Sequence, residues 1–244
     1  ARRHLGTAAL LTRGANSPAP LPARVRAWLV LLALGTALPA AAQEPAPSPA
    51  RVAEITRQLQ SQSMIGGQFV QTRALHGLPR PLLASGRFVY WRDHGLYWET
   101  LAPFYQATTF TSTDLINWPE PVGPPQPRGP DDPIQQHVTG ILLAVFSADL
   151  QRLEALFESR WQLDGDAWTL TLEPANKVVR RFIAHATLSG ARQLRTLTVA
   201  SRAGDVNTME FREVAALAGL PQALCERFAR EPGLVCPTAA EGAP

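Results

Sequence analysis

Lysine is nearly missing from this sequence. Lys177 is the only one, and its rarity beside plentiful arginine reads as a bias of composition rather than a functional feature. Cysteine is scarce as well: Cys225 and Cys236 are the only two, and neither stands where a lipid could be attached behind an export signal. No G-x-S-x-G elbow, H-E-x-x-H pair or phosphate-cradling glycine loop occurs, so the common signatures of several large enzyme classes are missing. His76, His94, His137 and His185 are scattered singly, whereas a metal site needs clustered ligands, so neither metal nor cofactor is expected. Asp131 and Asp132, and Asp164 with Asp166, stand at a helix start and a hairpin turn, where carboxylates have local conformational roles.

A run long enough to cross a membrane is also lacking. "AWLVLLALGTALPAAAQ" is short and rich in alanine. With Arg24 and Arg26 before it and Ala40-x-Ala42 before Gln43, it has the parts of a secretory signal cleaved near Ala42. A retained anchor is the alternative. Arg2-Arg3 lies too far ahead of the run to weigh as a twin-arginine signal, and residues 1–23 read as a mis-set start. The signal segment also carries the basic excess. The whole chain has 23 Lys+Arg against 20 Asp+Glu, a net charge of +3. Without Arg2, Arg3, Arg13, Arg24 and Arg26, 18 basic residues face all 20 acids, a net charge of −2. A basic nucleic-acid surface is therefore not expected.

The roughly 200 residues left suffice for one domain with a substantial core. "QEPAPSPA" (43–50) reads as a disordered linker. Val52, Ile55 and Leu59 recur at helical spacing, predicting a helix over 51–63 that Gly66-Gly67 ends. The period then switches to strands: "GQFVQTRAL", "LASGRFVYW", "GLYWETL" and "YQATTFTS" predict an antiparallel meander. Seven prolines between Asn117 and Pro133 predict a stiff loop without strand or helix, either functional or a tolerated insertion. Asp131 or Asp132 caps the next element, where Ile134, Val138, Ile141, Leu142, Val145 and Phe146 form one apolar stripe. Ser147 is expected to cap a second helix carrying Leu150, Leu153, Leu156 and Phe157. Strands return in "RWQLDGDAWTLTLEP", a hairpin around Asp164-Gly165, and in "VVRRFIAHATL", "QLRTLTVAS" and "VNTMEFREV". A last helix near 221–230 holds Cys225 and Phe228. In an oxidising compartment Cys225 and Cys236 can close a short loop worth about 3 kcal/mol in the chain-entropy model; two free thiols are the alternative. A single twisted sheet of this size curls toward a barrel, with the mid-chain helices at its mouth.

One stretch stands apart. In "GRFVYWRDHGLYWET" (86–100), Phe88, Tyr90 and Arg92 share one face of a strand, and Val89 and Trp91 share the other. Beyond the turn, Leu96 and Trp98 alternate with Tyr97 and Glu99. An antiparallel sheet with one wet face shows polar residues there. Rings on both faces mean either a core on each side or one face that lines a cavity.

The order of elements and several of these residues resemble the periplasmic outer-membrane lipoprotein carrier (LolA-like) family. Phe69-x-Gln71 in "GGQFVQTR" resembles the family's F-x-Q strand. Gly86, Arg92 and Trp98 keep the family's spacing, and Pro103 marks the strand end. "SADLQRLEALFESRWQL" and "KVVRRFIAHATL" look like its later helix and strands. The resemblance covers residues 51–118 well and 134–214 loosely. It implies an α+β fold over 51–219: an unclosed antiparallel half-barrel of about 9–11 strands, with a lid of short helices over an apolar cavity. Residues 220–244 would form a C-terminal helix and tail.

The cavity so implied would be lined from the first helix by Leu59 and from the strands by Phe69, Phe88, Tyr90, Trp98 and Phe110. The mid-chain helix would add Val138, Ile141, Leu142 and Val145, and the later hairpin Leu170 and Leu172. Arg92 matches the family's lid latch, an arginine that hydrogen-bonds lid carbonyls and lets go. Here Asp93 follows it where many relatives have proline, and the proline-rich loop after Trp118 replaces a shorter segment. Both departures bear on the cargo. The resemblance implies a monomeric periplasmic carrier, without catalysis, that shuttles the acyl chains of a lipoprotein or lipid from an inner-membrane release complex or transporter to an outer-membrane receptor. A glycolipid or polyene pigment as cargo, or a lipid-sensing interaction module of the same shape, is the alternative. An enzyme acting on lipid would need a nucleophile or paired carboxylates converging in the cavity.

Overall fold

The computed structural model describes residues 47–128, 133–229 and 234–237. The expected signal segment, Asp131-Asp132 and the final tail residues lie outside them. Eleven strands form one antiparallel sheet. The first half comprises β1 (Met64–Ala74), β2 (Leu82–Trp91), β3 (Gly95–Ala102), β4 (Gln106–Phe110), β5 (Leu115–Trp118) and β6 (Gln126–Arg128). The second comprises β7 (Phe157–Asp164), β8 (Ala167–Pro174), β9 (Ile183–Gly190), β10 (Leu194–Ser201) and β11 (Val206–Ala216). Each half is a meander, and the halves join where β1 pairs with β11. β6 and β7 remain as two unpaired edges, so the sheet is an unclosed half-barrel, the α+β class that the alternating pattern and the resemblance imply.

Three helices cover the inner face: α1 (Pro49–Leu59), α2 (Pro133–Ser147) and α3 (Leu150–Glu154). The Ser48 side chain accepts from the Arg51 N–H and caps α1, with Pro49 at its start, where a missing N–H costs nothing. Ile55, Phe146 and Leu153 bring the three helices into one core with inward-pointing strand residues such as Phe69, Phe88, Leu170 and Phe211. Alternation along β8 places Trp168, Leu170 and Leu172 inward, all buried.

The outer face of β2–β5 is covered too. Val89, Tyr97, Ala107, Ile116 and Trp118 form a second core with Leu220, Cys225 and Phe228 of the C-terminal segment. That segment holds α5 (Gln222–Cys225) and a 3-10 turn, Glu226–Phe228. Cys225 is bonded to Cys236. Thr109 Oγ1 donates to the Arg227 carbonyl at 2.7 Å, and the Arg227 guanidinium lies 4.3 Å over the Trp118 ring. The rings of 86–100 therefore meet a packed partner on both faces. Phe88, Tyr90, Leu96 and Trp98 turn inward, while Val89, Trp91 and Tyr97 turn toward the C-terminal segment.

Several local expectations change. Helix α1 begins inside the expected linker and stops at Leu59. Gly66 and Gly67 do not end it; they lie within β1, next to an irregularity in its pairing with β11. A Cβ at Gly67 would stand 2.9 Å from the Arg212 carbonyl oxygen and 3.1 Å from the Phe88 ring, so close approach of strands explains this glycine. The proline-rich stretch does hold strand structure, in β5 and β6. Pro127 is tolerated in β6 because an edge strand need not donate on its free side. Asp149, not Ser147, caps α3, accepting from the Arg152 N–H at 3.1 Å. "VVRRF" begins with a helical turn, α4 (Val179–Phe182), before β9.

Candidate functional site

Among the described residues, two of the cavities lie between the helices and the second half of the sheet. The smaller, about 260 Å³, lies under α1 and α3. Its apolar wall includes Leu59, Phe88, Leu170, Leu188 and Phe211, with Trp161 and Trp168 from the β7–β8 hairpin. Polar groups of the α1 C-terminus and the β9–β10 turn, among them Gln62 and Gln193, line one side. The larger, about 410 Å³, lies under α2 against β8–β11 and β1. Ile141, Leu142, Leu172, Leu197 and Met209 form its wall, and Arg73, Asp205 and Asn207 line its polar side. Val145 of α2 and Leu188 of β9 belong to both cavities.

The expected lining residues divide accordingly. Leu59, Phe88, Leu170 and Val145 line the smaller cavity; Ile141, Leu142, Leu172 and Val145 line the larger. The side chain of Val138 lies outside the described residues. Phe69, Tyr90, Trp98 and Phe110 line neither cavity and belong instead to the packed core. Phe69 and Trp98 stack with centroids 3.9 Å apart. Phe146 of α2 lines the smaller cavity and packs with its ring 5.2 Å from Phe88 and 5.5 Å from Phe211. Trp98 lies across this ring cluster from Phe146, with ring centroids 6.4 Å apart. Phe146 is also the residue that pins α2 to the sheet. Trp161, Trp168, Leu188 and Phe211 are cavity residues that the sequence reading did not single out. Trp168 was legible as inward-facing, but nothing in the alternation of one strand marks which inward residues border a void.

Arg92, at the end of β2, donates to two carbonyls just beyond α1: Gln60 at 2.6 Å and Gln62 at 3.0 Å. The Gln60 side-chain amide donates onward to the Ala148 carbonyl, between α2 and α3, at 2.9 Å. Arg92 thus ties the sheet to the end of α1, and the Gln60 side chain ties that end to the α2–α3 junction. Asp93 occupies a left-handed turn position, φ 64°. Burial raises the nearby Tyr90 hydroxyl above its ordinary pKa, against the opposing field of Arg92. On the outer face, the buried Glu99 carboxylate accepts from Arg87 and from the Tyr97 hydroxyl, the latter at 3.2 Å. Burial holds the Tyr97 hydroxyl far above the usual phenol range. Among the described residues no three His, Cys, Asp or Glu side chains gather as a metal ion would need.

Fold and site together define an α+β half-barrel with apolar cavities beneath a helical cover. No family model matches the chain, and no curated protein matches it. Among solved structures it is similar to a LolA superfamily protein from Nitrosomonas europaea, at 12% identity and TM-score 0.40, over 73% of this chain and 97% of that one. It is similar to MucB in the MucA/MucB complex of Pseudomonas aeruginosa, at 12% identity and TM-score 0.38, over 68% of this chain and 57% of that one. It is also similar to an outer membrane lipoprotein-sorting protein domain from Vibrio parahaemolyticus, at 8% identity and TM-score 0.36, over 70% of this chain and 93% of that one.

Proposed function

We propose that this protein is a non-catalytic periplasmic carrier that shelters the acyl chains of a lipoprotein or lipid while they pass between the inner and outer membranes. The observation that carries this reading is the pair of apolar cavities meeting at Val145 and Leu188. The larger cavity alone, at about 410 Å³, is in the range of small-molecule sites, and the smaller adds about 260 Å³ beside it. Each acyl CH₂ taken from water gains about 0.8 kcal/mol. Cavities that share a wall at α2 suit a flexible chain, because a small movement of that helix joins them. The export signal expected from the sequence supports a periplasmic location for such a carrier. The Arg92–Gln60–Ala148 chain supplies a fastening that is made of few bonds and can be undone. An inner-membrane release complex and an outer-membrane receptor are the partners such a carrier requires.

The test is direct. Native mass spectrometry of the purified protein, with a fluorescent fatty-acid titration, is expected to show one bound or acquired long-chain lipid per protein. An empty protein that takes up none overturns the carrier reading.

A further inference from the structure

Large apolar side chains are exposed at one end of the sheet and almost nowhere else. Leu78 lies on the β1–β2 turn, and Leu82 and Leu83 begin β2. Leu101 is at the end of β3, and Phe104, 82% exposed, is at the tip of the next turn. Val122 follows β5, Val178 and Phe182 flank and end α4, and Val206 begins β11. Antiparallel alternation puts all of these at the same end, as the pairings of Arg73 with Leu82 and of Ala74 with Val206 confirm. Among the described residues, the remaining large apolar side chain of comparable exposure is Val235, in the C-terminal segment. The opposite end, with Arg92 and the β9–β10 turn, has none among the described residues.

This is the end to which the larger cavity reaches, since Arg73, Leu75, Asp205 and Val206 line it. Charge is sorted there as well. The three stretches around that opening, 73–82, 175–183 and 201–207, contain Arg73, Arg80, Lys177, Arg180, Arg181 and Arg202 against a single acid, Asp205. Asp205 is occupied with the His76 backbone N–H at 2.8 Å. Glu120, beside Val122, lies at the same end, and Glu158 and Glu173 face each other there across the β7–β8 ladder, toward the far edge. Outside the signal segment the chain is acidic overall, so this basic collar runs against its average.

The geometry points to a bilayer-docking end: apolar loop tips enter the headgroup layer of an anionic membrane, the arginine collar binds its phosphates, and the larger cavity then opens toward the acyl region. Separate protruding tips on several turns suit a soft, anionic lipid surface better than a flat protein face. Basic residues contribute roughly 1 kcal/mol each near such a surface, and the attraction falls off within a Debye length. This deepens the carrier reading by naming a surface that loads or receives the chain, while docking itself requires no cargo.

Co-sedimentation with phosphatidylcholine vesicles, with and without phosphatidylglycerol, tests it. The wild-type protein is expected to bind the anionic vesicles preferentially. Leu83→Ser with Phe104→Ser, both at exposed tips, is expected to lower that binding about tenfold, a change of about 1.4 kcal/mol. Arg80→Glu with Arg181→Glu is expected to do the same at low salt, with the difference shrinking as salt rises. Absence of wild-type binding, undiminished wild-type-level binding by both variants, or an apolar end consumed in a dimer that Phe104→Ser disrupts, each overturns the proposal. Fatty-acid uptake from solution is measured on the same proteins. If uptake fails while vesicle binding follows the collar and tips, the carrier reading falls and docking stands; if uptake holds without vesicle binding, docking alone falls.

Discussion

Arg92 and Gln60 meet as guanidinium and carbonyl at 2.6 Å, and Gln60 passes the connection to Ala148 through its own side chain. Both bonds hold the helices over the inner face. Removing them destabilises that arrangement relative to one in which the helices have moved to admit a ligand. A charge-assisted bond at a partly exposed site contributes about 1 kcal/mol. Arg92→Leu is therefore expected to leave the fold intact, tighten fatty-acid binding about fivefold and slow release. Gln60→Ala should act in the same direction, and the double variant should add little, since both act through one chain of bonds. Stopped-flow release of a fluorescent fatty acid reads the effect; equal release by wild type and Arg92→Leu removes Arg92 from the mechanism.

Val145 separates the two cavities. Val145→Trp places a large ring in the shared wall and is expected to abolish uptake of long chains, while Val145→Ala joins the cavities and shifts preference toward longer ones. The smaller side chain should cost about 1–3 kcal/mol of stability for the lost packing. Uptake across a series of chain lengths, together with urea unfolding, checks both outcomes.

Trp98 serves as the contrasting position. Stacked on Phe69 and bordering neither cavity, it is expected to show its effect on stability: Trp98→Ala should lower unfolding free energy by about 3 kcal/mol or more. Fatty-acid affinity of the fraction that remains folded should be little changed. A selective loss of affinity with normal stability would put Trp98 back at the binding surface.

The disulfide fastens the cover of the outer face. Cys225→Ser with Cys236→Ser is expected to cost about 3 kcal/mol. Hydrogen exchange should rise first in β3–β5 and in the C-terminal segment, where Tyr97, Ile116 and Trp118 lose their partners. Uniform destabilisation across both halves of the sheet would show that the segment has no local role.

Tyr97 sets the alkaline limit. Its hydroxyl keeps its proton in the folded chain well above the pH, about 10, at which an unfolded tyrosine loses it. Its contribution is full below that pH and declines as pH rises, because only the unfolded state releases the proton freely. Stability should thus fall by about 1.4 kcal/mol per pH unit from this group alone. Tyr97→Phe is expected to make the fall shallower without abolishing it, since Tyr90 is shifted the same way. Urea midpoints at several pH values above 9.5 or so measure the slope.

Much of the sheet was legible because alternation is written locally. Phe88 and Tyr90 against Val89 and Trp91, or Trp168, Leu170 and Leu172 against their polar neighbours, give the face of each residue without any knowledge of the fold. What covers a face is decided by distant chain. Phe146 packs near Trp98 on the inner face, and Cys225 with Phe228 cover the outer rings of 86–97 as a second core. Glycines were ambiguous for a similar reason: Gly67 reads as a helix stop in isolation, but its neighbour in space is Arg212. Arg92 was found through family spacing alone. Its acceptors lie about thirty residues away and are backbone carbonyls, which carry no sequence signal.

The pairing of β1 with β11 has a consequence for how the chain matures. The first and last strands form the seam between the two halves, so the central ladder cannot be completed until residue 216 has been made. Contacts of such long sequence separation are slow to close. Until then β1 presents an unpaired edge, and the inner surface of both halves lacks its common centre. The nascent chain is thereby kept from completing its fold early, and any factor that holds it open has the whole interval of synthesis in which to act.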